Sequence, residues 1–248
     1  MITTIALLTA GLTGQMDIPL KADYYLVTAG KPPLPIERLS EPAPGFTKIT
    51  GRIRARTHWT NALVAWLAGM TPTTRFDGQL LRVTPRKTVT AAFDLKGVAL
   101  SEIWFPHMTR KGGSISPIEL ILTPQSSSLS DKPSRMLTTP QDAVYKQMNY
   151  VLTLAGKQTN WPDQISPFKV KPEGSAGYVA EMDIMLFSHS QAPATPNSPQ
   201  RRMAFKLESK NGPPFSFHIL MDGAFVSSEA GSSKAHIRAV GLRFMRGD

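Results

Sequence analysis

Hydrophobic and polar residues alternate along much of this chain, a pattern that is typical of half-buried β-strands. Segments of this kind, each predicted to be a strand, cover residues 2–10, 47–56, 79–84, 88–96, 117–123, 178–187, 203–209, 214–221 and 235–244. Apolar residues at helical spacing predict a helix over 57–69 that ends on Gly69. Strands therefore outnumber helices in the predicted structure.

Two further segments have a helical pattern. In segment 138–156, Thr139 fits an N-cap, Pro140 the first helical position and Gly156 the C-terminal stop. Residues 18–30 also carry apolar side chains at helical spacing. With these helices, each half of the chain offers helical segments together with several strands.

Two stretches rich in Ser, Pro, Gln and Asn, at 124–135 and 188–202, are predicted loops. The first divides the chain into an N-terminal α+β domain (1–125), a linker (126–135) and a C-terminal α+β domain (136–248). Similar short segments in the two halves fit an internal duplication in two different registers, so the duplication stays open. The predicted fold class is α+β, with two small sheet-and-helix units in tandem.

The charge balance indicates a polyanionic partner. Among 248 residues, 28 Lys and Arg face 18 Asp and Glu, a formal charge of +10. The absence of cysteine excludes a disulfide scaffold, a thiolate zinc site and a cysteine nucleophile. No apolar run reaches the roughly 18 residues that a membrane helix needs, and no basic residue precedes the apolar segment 2–12. We expect a cytoplasmic protein with no membrane contact.

The segment 47–56, with the sequence TKITGRIRAR, is the most informative basic feature. Because side chains alternate along a strand, its basic residues fall on one face: Lys48, Arg52, Arg54 and Arg56. Residues two apart lie about 6.6 Å apart, close to the separation of phosphates in an extended nucleic-acid strand. Arginine forks suit phosphates, so this face is a candidate RNA-binding surface. The alternative is a solvated face, or arginines paired with carboxylates from elsewhere in the chain.

Two other basic clusters and one aromatic residue extend the candidate RNA-binding set. They are Arg82, Arg86 and Lys87 at a strand end and turn, and Arg110 and Lys111 before paired glycines. Trp59, directly after the basic strand, is the best candidate for stacking on a base, although most aromatic residues of the chain are expected in the core.

The sequence contains no motif that defines an enzyme. None of its five histidines has metal-site spacing, and it lacks a phosphate-binding loop, a dinucleotide fingerprint and a serine-hydrolase elbow. We therefore predict no cofactor and no metal. His58 could assist attack by a ribose 2′-hydroxyl in a metal-independent endoribonuclease, with Lys or Arg stabilising the phosphorane. A helix cap or a surface position is the alternative for His58, and whether the chain is an enzyme stays open.

The C-terminal stretch 205–244 resembles the closing strands of the RAMP-type CRISPR-associated proteins. The similar features are a strand ending at Leu207 and Ser209, a turn at Gly212, an aromatic strand from Phe215 to Ile219, Gly223, and a last strand through Val240, Gly241 and Leu242. Residues 58–65 are similar to the histidine-bearing first helix of that family, and 8–27 to the start of its backbone subunits. The glycine-rich loop that many members carry near the C-terminus is missing.

This resemblance implies a tandem ferredoxin-like fold and a place in an antiviral ribonucleoprotein complex. It puts His58 and Ser209 at active-site positions and directs Arg52, Arg54 and Arg56 toward guide-RNA phosphates. The leading hypothesis is thus an RNA-binding subunit of a CRISPR-like complex, with RNA and other subunits as partners. Whether it also processes the guide RNA stays open. The alternative is a structural virion or phage-tail-type assembly protein with β-rich subunits.

Overall fold

Antiparallel strands make up most of the chain that a computed structural model describes, which is residues 23–40, 48–109, 116–131, 148–154, 157–158, 162–175, 177–186, 200–209, 216–227 and 234–246. The strands of the first half are β1 (Tyr24–Thr28), β2 (Leu34–Ile36), β3 (Arg38–Leu39), β4 (Ile53–Thr57), β5 (Arg75–Val83), β6 (Val89–Phe105), β7 (Met108–Thr109), β8 (Ile118–Thr123) and β9 (Ser126–Leu129). Those of the second half are β10 (Met148–Leu154), β11 (Lys157–Gln158), β12 (Pro162–Ile165), β13 (Phe168–Glu173), β14 (Gly177–Leu186), β15 (Gln200–Ser209), β16 (Ser216–Ser227) and β17 (Lys234–Arg246). Helix α1 (Asn61–Leu67) lies between β4 and β5.

The predicted α+β class, with tandem ferredoxin-like units, is wrong. The described residues contain one helix and a large antiparallel sheet, and no helices cover its faces as that fold requires. The end of predicted helix 138–156 is strand β10, which pairs with β15 over its whole length. Segment 18–30 contains β1, which pairs with β5. Both strands carry aromatic and β-branched residues, so pairing with a partner strand overrides the local helical pattern.

The alternating pattern itself is a reliable guide to the strands. Described strands overlap eight of the nine predicted segments. The ninth segment, 2–10, lies outside the described residues. Part of each predicted loop is also a strand: β9 in 124–135, and the start of β15 in 188–202. The predicted linker 126–135 thus begins with a strand, which pairs with β6.

Strand β6 joins the two halves of the chain. It pairs with β5 and β9 in its first part, and with β8 and β13 in its last part. The pair β7 and β12 makes a second connection between the halves. Beyond β13, the order continues through β14, β17, β16 and β15 to β10.

A buried aromatic stack also spans the two halves. The ring of Phe105 on β6 stacks on Trp59 with the centroids 5.7 Å apart, and on Phe168 of β13 at 4.7 Å. These rings belong to one core cluster together with the buried side chains of α1 and the inward-facing residues of β4, β8, β14 and β17. The core therefore lies on one side of these strands, and their other side is more accessible to solvent.

Helix α1 is short and is held at both ends. The hydroxyl oxygen of Thr60 accepts a hydrogen bond from the backbone N–H of Leu63 at 3.1 Å, and Gly69 adopts a left-handed φ of +77° just after the helix. The predicted stop at Gly69 is confirmed. Lys31 Nζ donates to the carbonyl oxygen of Trp66 at 2.6 Å, and burial lowers the pKa of this lysine. Within the described residues, no helix has the length and apolar character needed to cross a membrane.

Ser127 on β9 fixes the segment that leads into β4. Its buried hydroxyl accepts a hydrogen bond from the backbone N–H of Ile49 at 2.7 Å and donates one to the carbonyl oxygen of Ile49 at 2.9 Å. One side chain thus satisfies both backbone groups of a buried residue, as a neighbouring strand would.

We expect Ser127→Ala to lower the free energy of unfolding by about 1–3 kcal/mol, because both backbone groups of Ile49 would be buried without a partner. Urea denaturation of the variant measures this loss. Ser128→Ala is the matched control, since Ser128 is exposed on the same strand and its loss should stay within about 0.5 kcal/mol. Equal losses for the two variants would contradict the role assigned to Ser127.

Candidate anion-binding surface

The predicted division of the basic strand into two faces is confirmed. The buried residues of this segment are Ile49, Ile53, Ala55 and Thr57, and the outward-facing basic residues are Lys48, Arg52, Arg54 and Arg56. Strand β4 itself is shorter than predicted and begins at Ile53, so Lys48 and Arg52 precede it. The basic side chains therefore share the exposed side of the sheet, opposite the core.

Two of these arginines share one carboxylate. Glu119 lies directly opposite Arg56 on β8, and its Oε1 atom is 2.8 Å from Arg56 Nε. Its Oε2 atom is 3.5 Å from Arg54 Nε. The alternative left open by the sequence, pairing with a distant carboxylate, thus applies to Arg54 and Arg56. Within the described residues, Arg52 and Lys48 have no such partner.

Arg38 adds a positive charge that the sequence reasoning missed. It is exposed on β3 directly opposite Arg56, so the Cβ atoms lie about 4.5–5.5 Å apart on the same face of the sheet. Like charges in directly opposite positions destabilise a sheet unless an anion neutralises them. No carboxylate contacts Arg38 in the described part of the chain. We refer to Arg38, Arg52, Arg54 and Arg56 as the arginine cluster.

Glu37, the carboxylate nearest to Arg38 in sequence, contacts His58 instead. Its Oε2 atom is 3.3 Å from His58 Nε2, and the histidine side chain is only 14% exposed. The other ring nitrogen, Nδ1, is buried and has no hydrogen-bond partner among the described residues. In this arrangement neither ring nitrogen is open to a substrate, so His58 lacks the access that a general base needs.

Ser209, the second predicted catalytic residue, ends β15 opposite Met148 of β10. Strand β4, which ends just before His58, pairs with β3 and β8 and not with β15 or β10 in the described residues. No described strand pairing therefore brings His58 and Ser209 together.

Trp104, not Trp59, is the tryptophan on the exposed side. Trp59 is 6% exposed and stacks on Phe105, so the prediction that it offers its ring to a base is wrong. Trp104 lies directly opposite Glu119 on one neighbouring strand and Lys169 on the other. Lys169 Nζ lies 3.6 Å from the centroid of its ring, and Arg54 Cζ lies 5.8 Å from it.

Three of the remaining predicted RNA-binding residues lie on a strand end and turn, as predicted. Arg82 and Arg86 are exposed, and Lys87 is half-buried with a left-handed φ of +59° in the turn between β5 and β6. Arg110 and Lys111 lie outside the described residues.

In the described part of the chain, no group of three or more His, Asp or Glu side chains is arranged to hold a metal ion. The site consists of cations, one shared carboxylate and a half-buried indole. No protein-family model matches the sequence, and no curated protein matches it. The chemistry of this surface must be inferred from its own geometry.

We expect Glu119→Gln to lower the free energy of unfolding by about 1 kcal/mol at low salt, because Arg38, Arg54 and Arg56 would lose the charge that offsets their repulsion. Urea denaturation at 20 and 500 mM NaCl measures this loss, and we expect salt to reduce it. Glu181→Gln is the control, since Glu181 is 62% exposed and 3.5 Å from Arg238. A loss for Glu119→Gln that is independent of salt would contradict the repulsion.

Proposed function

We propose that this protein binds RNA, with the arginine cluster contacting phosphates. The observation that carries this function is the placement of Arg38 directly opposite Arg56, beside Arg54, with Glu119 as the only carboxylate in contact among the described residues. A surface with several arginines and one carboxylate gains stability from an external anion. The formal charge of +10 favours a polyanion over a small one.

The guide-RNA role is not part of this function. It was implied by a resemblance to proteins with a ferredoxin-like fold, and the described residues have a different architecture. Cleavage is not included either, because both ring nitrogens of His58 are covered or engaged. A cytoplasmic location, where RNA is available, belongs to the same proposal.

We expect the double variant Arg38→Gln/Arg52→Gln to weaken RNA binding about tenfold or more at low salt. Its plot of log K against log salt should be less steep, by about 0.7 for each phosphate that the variant no longer binds. Fluorescence anisotropy with a labelled nine-nucleotide oligouridylate measures both quantities. Substitution of these two arginines leaves the pairs of Glu119 with Arg54 and Arg56 intact. The thermal midpoint of the variant should therefore not fall.

Lys96→Gln is the matched control for this experiment. Lys96 is an exposed cation on β6 whose Nζ atom is 2.9 Å from Asp77, a carboxylate that contacts no arginine of the cluster among the described residues. We expect RNA binding by this variant to stay near that of the parent protein. Unchanged binding by Arg38→Gln/Arg52→Gln would refute the RNA-binding role of the cluster.

A second candidate function, a β-rich assembly protein, is favoured by the strand-rich fold and by the edge of β10. One side of β10 pairs with β15 over seven residues, whereas the described residues pair its other side only at Thr153 and Leu154. An unpaired strand edge is a template for pairing with another chain. Sedimentation velocity tests this function: growth of large species with protein concentration, without RNA, would support it over RNA binding.

A further inference from the structure

A shallow groove lies on the exposed side of the sheet and begins three strands away from β4. It has a volume of about 400 Å³ and is lined at one side by Lys169 and Lys171 of β13, and at the other by Glu181 and Arg238. Pockets of this size hold small organic groups. Three cations and one carboxylate line the groove, and two further carboxylates, Glu102 and Glu173, contact these cations from beside it. Anion binding here therefore depends on the donors that these carboxylates leave open.

Among the described residues, Lys171 and Arg238 of the groove have only weakly held carboxylate partners. Lys171 Nζ is 4.0 Å from a carboxylate oxygen of Glu102, and 54% of its side chain is exposed. Arg238 lies 3.4 Å from Glu173 and 3.5 Å from Glu181, with 46% of its side chain exposed. These distances are at or beyond the limit of good hydrogen bonds, so donors remain for a ligand.

Strand register makes the groove and the arginine cluster one continuous surface. The directly opposite residues, strand by strand, are Arg38, Arg56, Glu119, Trp104, Lys169, Glu181 and Arg238. At about 4.8 Å between neighbouring strands, the path from Arg56 to Glu181 covers roughly 19 Å. The phosphates of an extended nucleic-acid strand are about as far apart as alternate residues of a β-strand. The path is therefore as long as about three nucleotide spacings.

The aromatic ring on this path favours a single strand over a duplex. Trp104 lies midway along it and is half-buried, and its indole N–H is buried without a hydrogen-bond partner among the described residues. An aromatic ring among cations is the arrangement by which proteins bind single-stranded nucleic acid without sequence preference. The bases of a duplex are paired and stacked on one another and leave no free face for such a ring, so we expect a duplex to bind through the cluster alone.

We propose that the groove is a second subsite for single-stranded RNA. This inference rests on the proposed function of the arginine cluster. A strand held by the arginine cluster crosses Trp104 and places a phosphate between Lys171 and Arg238. The chain thus has a footprint of several nucleotides, and its two ends are bound by different strands of the sheet.

The test is the dependence of affinity on oligonucleotide length in the double variant Lys171→Gln/Arg238→Gln. Labelled oligouridylates of three and nine nucleotides are the probes, with a nine-base-pair RNA duplex as the comparison. We expect the variant to bind the nine-nucleotide strand about tenfold more weakly. Binding of the three-nucleotide strand and of the duplex should change by less than about twofold. Lys171→Glu, a single charge reversal, gives a second measurement should the double variant unfold.

The outcomes separate the groove from the cluster. Weaker binding only by Arg38→Gln/Arg52→Gln, with no effect of the groove variant, would refute the second subsite and leave the proposed function intact. No effect of either variant would refute both. Equal weakening by Lys96→Gln would show a general charge effect and overturn the subsite. A groove variant that changes self-association but not RNA binding would assign the groove to contacts between copies, which also overturns it.

Discussion

The backbone pairing of β6 is the interaction on which the rest of the structure depends. This strand has 17 residues, and it pairs early with β5 and β9 and late with β8 and β13. Its last two residues therefore have fixed and opposite environments, because neighbouring side chains on a strand point to opposite faces. Phe105 completes the aromatic stack of the core, and Trp104 lies on the exposed side among charged residues.

The pairing of β4 with β3 and β8 determines the charge of the exposed side. Arg38, Arg56 and Glu119 come from three strands that are distant in sequence, and register alone places them side by side. One carboxylate offsets part of the repulsion between the arginines, which stabilises the fold, but it leaves an excess of positive charge. Glu37 cannot reduce this excess in the same way, since its carboxylate contacts His58. The surface thus keeps an excess of positive charge that an external anion could offset.

Alternation along the sequence is enough to predict most strands and the outward direction of Arg52, Arg54 and Arg56, because the side-chain period depends only on the strand itself. The helical interpretation of 148–154 fails because pairing with β15 decides the structure there. Arg38, Glu119 and Trp104 could not be predicted as neighbours, since their contacts depend on register between strands that are far apart in the chain. Trp59 directly follows the basic strand, but its large apolar ring stabilises the core more than an exposed position would.

The position of His58 bears on whether such a surface cleaves the strand it binds. Proton transfer to or from a ribose hydroxyl requires a ring nitrogen within hydrogen-bond reach of the substrate. One nitrogen of His58 faces Glu37, and the other is buried beneath the sheet surface. Freeing either nitrogen would require movement of a side chain that is now 14% exposed, and freeing Nε2 would also break its contact with Glu37. Catalysis by His58 would therefore require a local rearrangement, which phosphate contacts by the arginine cluster do not.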